Sequence, residues 1–465
     1  MKPLKPMTIS GREVLPLVEG GKGIAVSNGE SAGAWAAAGA VGTFSAVNAD
    51  SYDADGNRVP MIYTGTTRTE RHRELVAYGI AGGINQARMA HDVSGGAGRI
   101  HMNVLWEMGG AEAVLEGVLQ GARGLIHGVT CGAGMPYRVA QIAARHGVYY
   151  YPIVSSVRAF KALWKRSYSR VADLLGGVVY EDPWLAGGHN GLSNTDAPAE
   201  PEAPYGRVRA LRDAMREMGL GETPIFMAGG VWNLQEWSDW IDNPELGPIA
   251  FQLGTRPLLT RESPIPDSWK ARLPRLQKGD VVLHRYSPTG FYASAVRNAF
   301  LRELEARNER QIPYARAADD THTAPLEVGQ RRRVVYVTPA DAEKAEAWRA
   351  EGYTSTMRTP DDTLIFITPD KATEIVTHQQ ECMGCLSACL FSNWNQAQDG
   401  TTVKRPDPRS FCIQKTLQNI AHGGDVDHEL MFAGHNVYRF GEDPFYADGF
   451  VPTVQQLVDR LLTGA

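Results

Sequence analysis

Short apolar runs alternate with longer amphipathic stretches along the first half of the chain. The runs are Val14–Gly20 (VLPLVEG, followed by GIAVSN), Ala40–Val47, Arg99–Trp106, Gly124–Thr130, Val148–Ser156, Gly176–Asp182, Pro224–Gly230 and Pro248–Thr255. Each is brief and almost uniformly apolar, the pattern of strands buried on both faces. Between them ESAGAWAAAGA, ELVAYGIAGGINQARMA, PYRVAQIAARHG and PYGRVRALRDAMREMG read as helices. Eight strand–helix units within about 260 residues have the size of a (β/α)8 TIM barrel. An open doubly wound sheet is the alternative, disfavoured because no G-x-G-x-x-G opens a helix after the first run.

Beyond Thr260 the pattern changes. ESPIPDSWKARLPRLQKGD is a Pro-rich exit, and SAVRNAFLRELEARNERQ reads as an amphipathic helix. IPYARAADDTHTAPLEVGQ reads as a linker. RVVYVTP, ADAEKAEAWRAEG and TLIFITPD form a small β-α-β-like piece, and VPTVQQLVDRLLTG is a last helix. The expected class is α/β: a barrel over 1–275, a helical segment and linker over 276–330, and a C-terminal α+β extension over 331–465 that carries a cysteine cluster.

Composition narrows the function. Hydrophobic residues make up 43% of the 465 and charged residues 21%, an ordinary globular balance. A net charge of −5 gives no footprint for nucleic acid. The one tight basic run, Arg331–Arg333, reads as a solvated strand edge. No run of about 18 apolar residues predicts a membrane span, and the N-terminus has no apolar signal core. Five cysteines do not suggest a disulfide scaffold, so a cytoplasmic location is expected.

Barrel enzymes work at the C-terminal ends of their strands. The seventh run ends at Gly229 and Gly230, the eighth at Gln252, Gly254 and Thr255. The loops after these two strands recurrently bind phosphate, because glycine lets backbone N–H groups approach the anion. A tight turn is the plainer reading of Gly-Gly, but both motifs at the correct strands predict a phosphate-bearing ligand. The sixth run ends in YEDPWLAGGHNG, where His189 follows two glycines. A histidine there suits a general acid or base, since its ordinary pKa is near neutrality.

Four of the five cysteines follow C-x2-C-x3-C-x22-C: Cys382, Cys385, Cys389 and Cys412. Three thiolates wrapped by one short segment and a fourth returning from a distance can ligate a [4Fe–4S] cluster. Zinc is the rival, although a second C-x2-C knuckle is absent; His422, His428 and His435 keep it open. Cys131, in GVTCGAGMP, reads as a small buried apolar residue.

The segments GGKGIAVSNGESAGAWAAAGAVGT, AGGHNG, PIFMAGGV and FQLGTRPLLTRES resemble the nitronate monooxygenase (2-nitropropane dioxygenase) family, which includes FMN-dependent enoyl-acyl-carrier-protein reductases. The resemblance runs from Val14 to Leu301. It implies an FMN barrel in which Gly229, Gly230, Gly254 and Thr255 hold the phosphate, Gln252 and Asn103 lie near the flavin or ribityl chain, and His189 is catalytic. Two departures stand out. Lys22 occupies a turn where many members have Met, which puts either a cation near the flavin pyrimidine or an outward lysine there. Trp184 precedes the histidine, either shaping the pocket or packing. CMGCLSACL, in turn, looks like the [4Fe–4S] segment of the 2,4-dienoyl-CoA reductase and trimethylamine dehydrogenase group, a match of nine residues.

These resemblances imply an FMN oxidoreductase whose cluster relays electrons to or from FMN, reducing an activated double bond in a small molecule with NAD(P)H or a donor protein as electron source. Nitronate oxidation with oxygen, the cysteines then holding structural zinc, is the alternative. A non-catalytic electron-transfer flavoprotein is the third reading. A homo-oligomer is compatible with all three.

Overall fold

The computed structural model describes residues 2–193, 195–329, 331–398 and 405–464. Gln330, the last residue of the expected linker, lies outside them. A hairpin of β1 (Met7–Ile9) and β2 (Arg12–Val14) precedes the first barrel strand. The barrel strands are β3 (Leu17–Glu19), β4 (Val41–Ser45), β5 (Arg99–Leu105), β6 (Gly128–Gly132), β7 (Tyr149–Val154), β8 (Val178–Glu181), β10 (Ile225–Ala228) and β11 (Ile249–Leu253). The two-residue β9 (Gly188–His189) lies outside the barrel. All eight barrel strands pair in parallel, and β11 returns to β3 to close the ring. Seven of the predicted runs contain one of these strands, and the fourth overlaps β6, which extends two residues past it. The short apolar runs suited strands sandwiched between a filled interior and a helical shell.

Alternation along each strand sorts the side chains. Val18, Val41, Tyr151, Val179, Phe226 and Ala250 fill the interior together with Ile9 and Val14 of the hairpin, which plugs the N-terminal end. Two positions further along the same faces come Ile153, Glu181, Ala228 and Gln252, which line the opposite mouth.

Helices α1 (Gly29–Ala37), α2 (Arg68–Ser94), α3 (Ala111–Gly121), α4 (Val139–Arg145), α5 (Val157–Arg166) and α6 (Pro204–Glu217) surround the barrel. Asn28 caps α1 through Ser31 N, and Thr67 with Glu70 forms a capping box on α2. α1 and α2 pack closely: a Cβ on Gly29 would lie 2.3 Å from the Gln86 carbonyl oxygen.

After the barrel come α7 (Asp267–Arg272), strands β12 (Val281–His284) and β13 (Ala293–Val296), and α8 (Ala299–Glu309). The predicted amphipathic helix is thus shorter, because its first residues enter a sheet: β13 pairs with both β12 and β9. The linker also contains β14 (Gln311–Pro313) and β15 (Ala324–Val328). The β-α-β-like piece is split. β16 (Arg333–Val337) pairs with β15, whereas β18 (Thr363–Ile367) lies between β14 and β17 (Ser355–Arg358). Hydrophobic alternation revealed β16 and β18 but neither their long-range partners nor β14, β15 and β17.

Helices α9 (Pro339–Ala350) and α10 (Pro369–Gln380) lead to the cysteine segment, and α11 (Ile413–Ala421) follows Cys412 directly. This region is fused to the barrel: Met383, Leu386, Trp394 and Leu417 share one hydrophobic core with Phe44, Met102 and Val104. Arg256, almost fully buried, bonds Tyr446 Oη and the Trp232 carbonyl and pairs with Asp443, tying the C-terminal segment to the helical turn after β11. Among the described residues no helix is long and apolar enough to cross a membrane.

Candidate active site at the barrel mouth

A cavity of about 1360 Å3, its mouth included, opens at the C-terminal ends of the barrel strands. Lys22, Asn103, His189, Gly229, Gly230, Gln252, Gly254 and Thr255 all line it. Sequence reasoning placed these eight residues at separate strand ends, and barrel closure brings them together. Gly229 and Gly230 have φ of +90° and +80°, a backbone that only glycine adopts without strain. A Cβ on Gly254 would meet nothing within 4 Å, so the chain there presents bare backbone to the cavity. Gln252, whose side chain has no hydrogen bond among the described residues, offers its amide to the same space. A glycine cradle and free polar side chains around a deep, mostly apolar cavity fit a phosphate-bearing aromatic cofactor such as FMN.

Asn103 is buried and held only by long contacts, donating to Ser45 Oγ at 3.5 Å and accepting from Thr130 Oγ1 at 3.4 Å. Gly21 is required beside it, because a Cβ there would lie 2.2 Å from Asn103 Cβ. Lys22 does not point outward. Its Nζ donates to Glu19 Oε1 at 3.1 Å and to the Gly20 carbonyl at 2.8 Å. Glu19 also accepts from Ser31 Oγ; burial raises its pKa despite the Lys22 charge.

His189 is fixed by the mini-sheet. Its backbone pairs with Ala293, and its Nε2 lies 2.6 Å from Ser287 Oγ and 3.3 Å from Thr289 Oγ1. Phe432 approaches edge-on, with ring centroids 5.7 Å apart. Burial pulls the His189 pKa down to about 4, so the imidazole is neutral near pH 7. The bond to Ser287 orients the ring but occupies one of its two nitrogens.

Sequence reasoning missed two parts of this site. The first is Glu181, whose carboxyl faces the cavity with no hydrogen-bond or ion-pair partner among the described residues; burial, helped by the charge of Asp182, pushes its pKa up to about 8. Alternation along β8, counted inward from Val179, is the signal that would have found it. The second is a strap from Phe432 to Asn436 that crosses the mouth. Gly434 N donates to Thr255 Oγ1, Asn436 Nδ2 to the Gly230 carbonyl and His435 N to the Leu185 carbonyl. A Cβ on Gly187 would lie 2.5 Å from the Ala433 carbonyl carbon, so the glycines before His189 admit the strap. No local pattern announces it. Trp184, by contrast, packs away from the cavity: its Nε1 donates to the Ala197 carbonyl and Arg207 lies over its ring.

Cys382, Cys385, Cys389 and Cys412 line one small cavity together with His378, Phe391 and Ser392. Burial, then the neighbouring thiols, pushes Cys385 well above the usual thiol range; burial likewise raises Cys389 to about 11 and Cys412 to about 12. At the start of α11 the Gln414 N–H faces the Cys385 sulfur and the Lys415 N–H the Cys412 sulfur. The segment sits on the loop after β5: Gly109 N donates to the Cys385 carbonyl, and Ser387 Oγ to Glu107 Oε2. Among the described residues no group of three or more His, Cys, Asp or Glu side chains is arranged to hold a metal ion. The histidines that kept zinc open are absent from the thiol cavity. His422 pairs with Asp50, His428 with Asp425, and His435 with Ser294. Cys131 is buried in β6, its thiol pKa raised by burial, and lines neither cavity.

A parallel barrel with a glycine-lined cavity at its mouth and a neutral histidine on the rim defines a cofactor-dependent barrel enzyme. The chain belongs to the nitronate monooxygenase family, whose model matches residues 118–463. It is thus an FMN-dependent oxidoreductase. The match corrects the expected span: it runs through the cysteine region that the resemblance had placed outside the family pattern. Among solved structures, the enoyl reductase domain of MlnA from the macrolactin biosynthesis cluster of Bacillus amyloliquefaciens aligns over 97% of this chain and 93% of its own, at 12% identity and TM-score 0.55. It shares the fold. FabK from Thermotoga maritima aligns over 96% and 91%, at 14% identity and TM-score 0.49. A nitroalkane oxidase from Streptomyces ansochromogenes aligns over 62% and 79%, at 18% and 0.44. A search of curated proteins gives no significant match.

Proposed function

We propose that the chain reduces an activated carbon–carbon double bond at FMN, with electrons relayed by a [4Fe–4S] cluster on Cys382, Cys385, Cys389 and Cys412. The observation that carries this reading is the course of α11. It starts at Cys412, in the thiol cavity, and lines the barrel-mouth cavity with Leu417 and Ile420. Five residues of helix span about 8 Å. The donor set supports a cluster: four thiols from a C-x2-C-x3-C turn and one returning residue. Two backbone N–H groups of the α11 first turn face sulfurs, and a helix N-terminus favours negative charge.

Bound FMN would supply two-electron chemistry, and the cluster single-electron transfer. The protein's own groups bind and orient. The glycines after β10 and β11, with Thr255, would hold the phosphate. Asn103 and Gln252 would orient the ring and ribityl chain. The Lys22 ammonium would place positive charge near the ring. His189, neutral and fixed by Ser287, would position the substrate or exchange a proton with it.

The test is flavin, iron, acid-labile sulfide and zinc content of anaerobically purified protein, followed by assays of enoyl thioester reduction. One FMN with four irons and four sulfides per chain supports the relay. FMN with zinc or no metal overturns it and favours nitronate oxidation, for which oxygen uptake with an alkyl nitronate is the assay. For that second reading the supporting observation is the neutral His189, able to take a proton from carbon.

A further inference from the structure

The barrel-mouth cavity is lined by two ionisable groups besides the histidine, Lys22 and Glu181, and Lys22 is already engaged. Glu19 and Lys22 form a pair that Ser31 and the Gly20 carbonyl complete. Glu181 alone has no hydrogen bond and no ion pair among the described residues. It ends β8 between Ala228 of β10 and the end of β7, on the same inward face as Val179. Its side chain is therefore aimed up the barrel axis into the space that a flavin would fill. The groups around it offer no compensating cation. β10 contributes only apolar side chains at this level, and β7 presents Ile153. Asp182, next along the chain, adds like charge, although its own carboxyl accepts from Trp184 N and Leu185 N. Arg207, whose charge acts on Asp182, is committed to Asp196, Glu202 and the Ser155 carbonyl. His189 shares the cavity but is neutral, with Nε2 occupied by Ser287.

We propose that Glu181 is the proton donor of the flavin cavity. An unpaired carboxylate in an apolar cavity is costly, so the carboxyl keeps its proton; burial and Asp182 hold its pKa at about 8. The proposal rests on the flavin reading and assigns the acid in the reduction. When one carbon of an activated double bond accepts hydride, with reduced FMN as the reductant, the electron pair is left on the adjacent carbon. The Glu181 O–H bond breaks and a C–H bond forms at that carbon. The remaining carboxylate regains a proton from water at the cavity mouth. His189, whose pKa is about 4, holds no proton to spare at neutral pH and serves as a positioning group.

The test uses the FMN-loaded chain and the isosteric variant Glu181→Gln, with Glu181→Asp as a conservative control. The substrate-free arm is potentiometry of the bound flavin against pH. Reduction places negative charge beside Glu181 and raises its affinity for a proton. Above about pH 8 the wild-type potential should therefore fall more steeply with pH, and Glu181→Gln should lack that break. Infrared difference spectra should show a protonated-carboxyl band in wild type at pH 7 that is missing in the variant. The substrate arm is enoyl thioester reduction: Glu181→Gln should retain flavin content and flavin reduction, yet form product about 100-fold more slowly or worse, with partial recovery in Glu181→Asp. Identical pH dependence and spectra in wild type and Glu181→Gln overturn the proposal, as does wild-type product formation by the variant. If no enoyl thioester is reduced by wild type, the reaction reading fails, and the potentiometric and infrared arms still decide whether Glu181 carries the proton.

Discussion

Asn436 donates its side-chain amide to the Gly230 carbonyl over 2.8 Å, joining residues 206 positions apart. With Gly434 N bonded to Thr255 Oγ1, this places a C-terminal strap on both glycine loops of the cavity at once. The cysteine region and the strap belong to one continuous stretch of chain, so the thiol cavity is joined covalently to the segment that crosses the barrel mouth.

The strap should matter to cofactor retention. Asn436→Ala removes one bond to the loop after β10, and a single net hydrogen bond contributes about 1 kcal/mol. FMN affinity should fall about fivefold, read by fluorescence titration of the apoprotein. Unchanged affinity would show that the strap does not shape the flavin site.

His189→Ala should abolish turnover, at least 100-fold, while FMN stays bound, because the cradle residues are elsewhere. Ser287→Ala should have a milder effect, since it frees the ring without removing it. Loss of flavin together with activity in His189→Ala would defeat the assignment.

Acid should destabilise the fold. Burial pulls His101 to about 3, and His189 and His284 to about 4, against an ordinary value near 6.5. From pH 6.5 down to about 4 the unfolded chain takes up protons that the native state refuses, so stability is lost as pH falls. Each histidine contributes about 3 kcal/mol over that window. Glu181 acts oppositely, costing stability as pH rises from its ordinary value, near 4.5, to about 8. Urea midpoints at pH 7 and pH 5 should differ clearly, with the lower at pH 5; equal midpoints would mean that these histidines titrate normally.

Cys385→Ala should lose iron while the barrel remains folded and flavin-competent. The strands close among themselves, and the cysteine segment packs against them from outside, through the loop after β5, the first turns of α2 and a shared apolar core. Iron retained at wild-type stoichiometry would remove Cys385 from the ligand set.

Much of this was legible along the chain. Eight apolar runs announced eight buried strands, because a strand covered on both faces must be apolar at successive positions. The glycines at 229, 230 and 254 marked backbone approach, and the C-x2-C-x3-C turn marked clustered thiols. Such signals are local: strand propensity, turn chemistry and short spacing act between near neighbours. The partner strands of the extension were not legible, since β16 and β18 look like one unit in sequence and pair into different sheets.

The sequence by itself thus determined the barrel, its glycine-rich mouth and the clustering of the cysteines. Tertiary structure alone decided what surrounds each group. Ring closure aimed Glu181 into the mouth cavity with no ion-pair partner among the described residues, since Lys22 is committed to Glu19. The strap from Phe432 to Asn436 and the bridge that α11 makes between the two cavities depend on contacts between distant parts of the chain. Their energies come from burial and hydrogen bonds between segments that carry no mark of one another, so only the folded chain reveals them.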